Sequence, residues 1–64
     1  MGSKVEFRNV KCDRETAHAI LVEIDGSDHW IPKSQIDDDS EVYQAGTSGT
    51  LIVTEWLAIQ KGLV

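Results

Sequence analysis

The chain lacks the residues that most often cross-link so small a protein. Its 64 residues include one cysteine, Cys12, so no disulfide can form within the chain. Small domains without disulfides commonly use a metal ion or self-association instead. We expect Cys12 to be a small, half-buried hydrophobic residue, and a lone thiol fits a reducing compartment.

Long apolar runs are also absent. No stretch approaches the about 20 apolar residues of a membrane-spanning helix, and the first residues lack the basic and then apolar pattern of a secretory signal. The sequence therefore predicts a cytoplasmic protein. At this length we expect a single domain, residues 1–64.

Positive charge is scarce after the first quarter of the chain. The net charge is −5, and residues 17–64 carry only Lys33 and Lys61 against eight acidic side chains. Non-specific binding to duplex nucleic acid needs a face rich in lysine and arginine, so this composition argues against it. We therefore expect an anion to be met by the basic first strand, which includes Arg8, and by Lys33.

The first half of the chain reads as strands separated by turns. Alternating apolar residues predict a strand over residues 4–10, followed by a turn or wide loop at 11–16. Residues 17–24 predict the strongest strand, and the Asp-Gly pair in 25–28 predicts a tight hairpin turn. The returning strand, 29–32, should stop at its proline, which cannot donate to a ladder.

The segment after Pro32 predicts a corner and then a second hairpin. Within "KSQIDDDS" we expect Ser34 to cap a single helical turn and Ile36 to fold inward. A short strand around Val42, a turn containing Gly46 and Gly49, and a strand at "TLIVT" should follow.

The end of the chain predicts a short helix. Thr54 is its expected N-cap and Gly62 its C-terminal cap. Trp56, Ile59 and Leu63 recur at helical spacing and form one stripe, which we expect to pack on the sheet, since such a short helix needs packing to survive. The whole pattern predicts a mostly β protein: a small SH3-like or OB-like barrel of about five strands with one short C-terminal helix.

Patterns that indicate catalysis or metal binding are missing. The sequence has no nucleophile elbow, phosphate-binding glycine loop or paired-cysteine metal site. His18 and His29 are not directly opposite in the expected hairpin, and "DDDSE" at 37–41 lacks the spacing and central glycine of a calcium loop. We therefore expect no enzyme activity, metal or cofactor.

The octapeptide "HWIPKSQI", residues 29–36, is the best candidate for a binding site. Trp30 points to the face opposite Ile31, where it either packs against Trp56 or Leu21, or serves as a stacking platform for a base. If Trp30 stacks on a base, Lys33 would bind a phosphate, and Ser34 or Gln35 would form hydrogen bonds with the edges of the base. The candidate ligand-binding residues are Trp30, Lys33, Ser34, Gln35, Arg8 and Tyr43.

Two segments carry a resemblance to known proteins. With "AILVEIDGSDHWIPKSQI" and "LIVTEWLAIQKGL", the chain resembles short accessory proteins encoded by bacteriophages and prophages. The resemblance covers roughly residues 17–36 and 50–63. It implies a mobile-element setting inside a bacterial host cell, with a role in replication or in blunting host defence.

These observations favour a non-enzymatic binding protein. The leading hypothesis is a homo-oligomer that holds a nucleotide, such as a nucleotide signal of host defence, or a short single-stranded nucleic acid at the corner. The alternative is a protein-interaction module whose acidic surface blocks or recruits a host protein. A structural phage component is a weaker third possibility. Self-association is expected because both faces of residues 19–24 are apolar, and one thin core cannot cover both.

Overall fold

Four antiparallel strands and one short helix make up the structure, a computed structural model that describes residues 3–64. The strands are β1 (Lys4–Glu15), β2 (Ala19–Ile24), β3 (Ser27–Pro32) and β4 (Ser48–Thr54), and helix α1 (Glu55–Gln60) follows β4 directly. The strands lie in the order β3-β2-β1-β4 in an open sheet.

The predicted mostly β fold with a C-terminal helix is confirmed. The expected count of five strands is wrong for the described residues, and the sheet does not show the expected barrel. Residues 1 and 2 of the predicted domain lie outside this description.

A bulge allows β1 to run much further than its sequence suggests. The turn predicted at residues 11–16 is wrong, because the strand continues to Glu15. Asn9 has a φ of 59°, and the pairing with β4 shifts between Phe7 and Val10. The extra residue inverts the alternation of side chains, so Phe7 packs against the core before the bulge and Val10 and Cys12 are buried after it.

The hairpin between β2 and β3 is tighter than predicted. Its loop contains only Asp25 and Gly26, whose φ angles of 52° and 82° suit a turn that matches the twist of the strands. Ser27 and Asp28, which we expected in the turn, belong to β3 and pair with β2. The short loop sets Leu21 directly opposite Trp30.

The corner after β3 contains the expected single turn, Lys33–Gln35, in 3-10 form. Ser34 does not cap it, since no side chain makes a capping hydrogen bond there. Ile36 does fold inward against the core, as predicted. Val42 is fully buried, but it lies in an irregular segment, so the strand predicted around it is wrong.

The irregular segment covers the outer edge of β4. The backbone amides of Asp37 and Glu41 donate to the carbonyls of Ile52 and Thr50, both at 2.9 Å. In return, the Ile52 amide donates to Ser40 Oγ at 3.1 Å and the Thr50 amide donates to Glu41 Oε1 at 2.8 Å. The edge is therefore satisfied by loop backbone and side chains, as buried polar backbone requires.

Helix α1 begins and ends where the sequence indicates. Thr54 Oγ1 accepts a hydrogen bond from the Leu57 amide at 3.2 Å. Gly62, at a φ of 69°, allows the amide of Leu63 to reach the carbonyl of Ala58 at 2.8 Å, which closes the helix end. Within residues 3–64, no helix is both long and apolar enough to cross a membrane.

The predicted packing face of α1 is wrong in part. Trp56 and Ile59 are 60% and 58% exposed, whereas Leu57 and Ala58 are buried. Of the predicted stripe, only Leu63 packs against the core. The core itself consists of these residues: Val10, Cys12, Ile20, Val22, Ile24, Ile31, Val42, Leu51, Val53, Leu57 and Ala58.

Replacing Ser40 should test the cover on β4. Its buried hydroxyl accepts from the amides of Ile52 and Val42, at 3.1 and 3.3 Å, so Ser40→Ala leaves both amides without an acceptor. We expect the free energy of unfolding to fall by about 2 kcal/mol, measured by urea denaturation. Ser34→Ala, at an exposed serine of the same corner, should change it by less than about 0.5 kcal/mol. Equal effects of the two substitutions would contradict this account.

Candidate binding site at the corner after β3

Two adjoining grooves flank the corner. The corner groove has a volume of about 340 Å³, and its lining residues are Lys33, Ile36, Asp37, Asp38, Ser40 and Tyr43. The side groove, of about 210 Å³, shares three of them and adds Lys4, Ser34, Gln35 and Thr54. The two grooves therefore lie next to each other along the segment Ile36 to Asp38.

The structure brings together four of the six predicted site residues. Lys33 and Tyr43 line the corner groove, while Ser34 and Gln35 line the side groove. Arg8 lies at the bulge of β1, where it lines a separate depression with Lys11 and Glu23. Trp30 lines neither groove of the corner.

Trp30 lies on the outer face of the sheet. It is 43% exposed, and its directly opposed neighbour is the half-buried Leu21. Opposed residues in an antiparallel pair are close enough for their side chains to pack. Of the two interpretations made from the sequence, this position favours packing on Leu21 over stacking in the grooves.

Lys33 already has a carboxylate partner. Its Nζ donates to Glu15 Oε2 at 2.8 Å, and both side chains are about one-third exposed. Glu15 Oε1 also accepts the amide of Ala45 at 3.2 Å. The Lys33 ammonium, and next the Ala45 amide, lower the pKa of the Glu15 carboxyl. An incoming anion would therefore compete with Glu15 for this cation.

A second ion pair stands in the side groove. Lys4 Nζ lies 2.6 Å from Asp37 Oδ1, and Asp37 Oδ2 accepts the amide of Asp39 at 3.0 Å. Lys4, and next that amide, lower the pKa of Asp37, and the hydrogen bond to Asp37 raises the pKa of Lys4. Gln35 Oε1 is also engaged, since it accepts from Thr54 Oγ1 at 2.7 Å.

Sequence reasoning missed Lys4, Glu15 and Asp37 as parts of the site. Each pairs with a residue distant along the chain, and the sequence contains no short-range pattern that joins them. The charge split between the two parts of the chain fits the pairing of Lys4 with Asp37 but not that of Lys33 with Glu15, where the cation lies in the later part.

The tyrosine side of the corner groove is held by its own loop. Thr47 Oγ1 accepts the amides of Tyr43 and Gln44 at 3.2 and 3.3 Å and donates to the carbonyl of Gln44 at 2.6 Å. The loop docks on β1, where Cys12 exchanges backbone hydrogen bonds with Thr47 and Gly46. These contacts fix the backbone that carries Tyr43, whose side chain is 53% exposed.

The free charge of the corner is negative. Asp38 and Asp39 are exposed, and no lysine or arginine of residues 3–64 forms an ion pair with either. Two lysines thus face four carboxylates, those of Glu15, Asp37, Asp38 and Asp39. Within the described residues, no group of three or more histidine, cysteine or acidic side chains is arranged so that it could hold a metal ion. The surface suits an organic cation better than an anion.

Cys12 takes no part in these grooves. It is buried, more deeply than expected, and its thiol donates to the carbonyl of Arg14 at 3.2 Å. Burial raises the pKa of the thiol, which keeps it protonated and unreactive near neutral pH.

Comparison of the chain with protein-family models, curated proteins and solved structures gives no match. The resemblance to phage accessory proteins therefore stays a prediction, and the corner must be interpreted from its own geometry.

The two ion pairs predict an acid-sensitive fold. Glu15 and Asp37 have lower pKa values when folded than their ordinary 4.5 and 3.8, so the unfolded chain binds more protons in acid. The stability that the two ion pairs contribute should be complete above about pH 5, and it should be lost as the pH falls below these ordinary values and through the lower pKa values of the folded state. Urea denaturation across this range measures it.

Lysine substitutions separate this effect from general acid unfolding. Lys4→Met and Lys33→Met should each flatten the decline, because each removes the cation that lowers one pKa. Lys61→Met is the control, since Lys61 forms no ion pair within residues 3–64. An unchanged pH dependence in both pair variants would refute the assignment.

Proposed function

We propose that the chain is a non-enzymatic binding module that takes a basic segment of a partner protein in the corner groove. One observation carries the proposal. Both lysines of the corner are held in ion pairs, whereas the exposed Asp38 stands unpaired, among the described residues, in the same groove as the exposed ring of Tyr43.

This pairing of ring and carboxylate suits a lysine or arginine side chain. The aliphatic stem can lie along Ile36 and the phenol ring while the cationic head approaches Asp38. A cation over an exposed tyrosine face contributes about 0.5–1 kcal/mol, and Asp38 adds electrostatic attraction. Because the Thr47 contacts already fix the loop, little backbone ordering should be needed on binding.

The geometry gives less support to nucleotide binding at the same place. A phosphate would have to displace Glu15 from Lys33 and would then lie beside Asp37 and Asp38. The ring intended for base stacking, Trp30, lies on the outer face of the sheet. In the phage setting that the sequence suggests, a basic segment of a host defence or replication protein is therefore the partner we propose.

A short peptide can test this proposal. The probe is a fluorescein-labelled peptide of alternating arginine and glycine, titrated by fluorescence anisotropy at near-physiological salt. Tyr43→Ser and Asp38→Asn should each weaken binding, and together by about tenfold, which corresponds to about 1.4 kcal/mol. The control is Glu55→Gln, which removes the same unit of charge from an exposed position on α1.

Two results would overturn the proposal. The first is equal weakening by Glu55→Gln and Asp38→Asn, which would reduce the binding to non-specific charge attraction. The second is a rise in melting temperature with adenine nucleotides that Lys33→Ala abolishes, which would favour the nucleotide hypothesis instead.

A further inference from the structure

The two edges of the sheet differ in whether another segment of the chain forms hydrogen bonds with them. The outward backbone groups of Thr50 and Ile52 on β4 are bonded to the segment that carries Asp37, Ser40 and Glu41. On the opposite side, β3 is the last strand of the sheet, and no backbone segment of residues 3–64 pairs with its outer edge. An exposed strand edge is a template for a further strand.

The register shows which groups of β3 point outward. The Lys33 amide donates to the His18 carbonyl at 2.8 Å, which fixes the hydrogen-bonded phase of the β2–β3 ladder. Counting back from this pair along the register, Trp30 opposite Leu21 and Asp28 opposite Glu23 are non-hydrogen-bonded pairs. The amides and carbonyls of Asp28 and Trp30 therefore face the open edge, as does the carbonyl of Pro32.

We propose that this edge pairs antiparallel with the β3 strand of a second copy of the chain, about a two-fold axis at Trp30. The proposal concerns a surface separate from the corner groove, and neither depends on the other.

The backbone of β3 is complementary to itself in this register. Each Trp30 amide donates to the partner copy's Trp30 carbonyl, and each Asp28 amide donates to the carbonyl of Pro32 in the other copy. Pro32 has no amide to donate, so in this register the Asp28 carbonyl of each copy is left to water. The pairing thus makes four backbone hydrogen bonds and leaves no amide of the outward set without an acceptor.

The apolar side chains agree with the same register. On the outer face the pairing sets the two Trp30 rings side by side, each flanked by its own Leu21, so an apolar row crosses the junction.

The size of the surface sets the expected strength. A standard stable interface covers about 800 Å² per partner, and the whole described surface of one copy is 4254 Å². The six residues of β3, Trp30 among them, cover less than that standard in each copy. We therefore expect a reversible dimer that forms in the micromolar to millimolar range, and it should tighten with added salt, because each copy carries a net charge of −5.

Amide hydrogen exchange can detect this pairing directly. In a monomer, the amides of Asp28 and Trp30 face solvent and should exchange quickly, while those of His29 and Ile31, bonded to β2, are protected. Raising the protein concentration should slow exchange at Asp28 and Trp30 selectively, and sedimentation velocity should show a dimer over the same range. Fast exchange at both amides at every concentration, with a monomer throughout, would overturn the proposal.

The two tryptophans offer a matched pair of variants. Trp30→Lys should weaken dimerisation by about tenfold or more, while Trp56→Lys, at the more exposed tryptophan on α1, should leave it unchanged. Asp28→Pro provides a second variant, which removes an outward amide that the β2–β3 ladder does not use. Circular dichroism verifies folding of each. Equal loss in the Trp30 and Trp56 variants, or retention in both edge variants, would contradict the assignment.

Discussion

The fold depends on one constraint: the edge of β4 must be bonded by a segment that is not a strand. The buried Ser40 hydroxyl and the Glu41 carboxylate accept the two amides that a fifth strand would otherwise have taken. Gly49 allows this close approach, because its φ of 132° suits glycine and a Cβ there would come within 2.6 Å of Glu41 Oε1. With that segment fixed, Val42 lies in the core, and the same segment forms part of the two grooves at the corner.

The same segment determines the electrostatics of the surface. Folding it back against β4 brings Asp37 to Lys4, and the 3-10 turn before it brings Lys33 to Glu15. The few cations near the corner are thereby occupied, and what remains for a partner is negative charge beside a tyrosine ring. Charge already neutralised inside the chain attracts little from outside, so the unpaired carboxylates dominate the recognition we propose.

The sequence was most informative where local chemistry decides the structure. Asp-Gly predicted the hairpin, and Thr54 with Gly62 predicted both ends of the helix, because turns and caps depend on a few adjacent residues. The sequence was least informative where the structure depends on which distant segment pairs with a strand. The bulge at Asn9 concealed the second half of β1, and the strand expected around Val42 became a loop whose polar atoms bond β4 instead. The helical stripe gave a wrong prediction of the packing face, because residue spacing shows which side chains share a face but not whether that face is covered. Trp56 and Ile59 lie on a face that is exposed to water.

The candidate site shows the same contrast between features set by adjacent residues and features set by distant ones. Four of the candidate residues line the grooves because they lie at or near a recognisable corner; these are Lys33, Ser34, Gln35 and Tyr43. Trp30, for which the sequence left packing and stacking both open, lies outside the two grooves because its neighbours in sequence lie around the bend while its neighbours in space lie on β2. The ion-pair partners had no local signal, since they come together only through long-range pairing.

The bulge in β1 also limits how the chain can vary in length. Residues up to Phe7 and residues from Val10 to Cys12 face the interior with opposite parity, because the extra residue lies between them, and a second register shift follows between Cys12 and Arg14. Deleting Asn9 would remove the first shift and turn Val10 and Cys12 toward solvent while bringing Lys11 inward. One-residue length changes between Phe7 and Cys12 should therefore be tolerated poorly, because each would reverse which side chains of that stretch face the core.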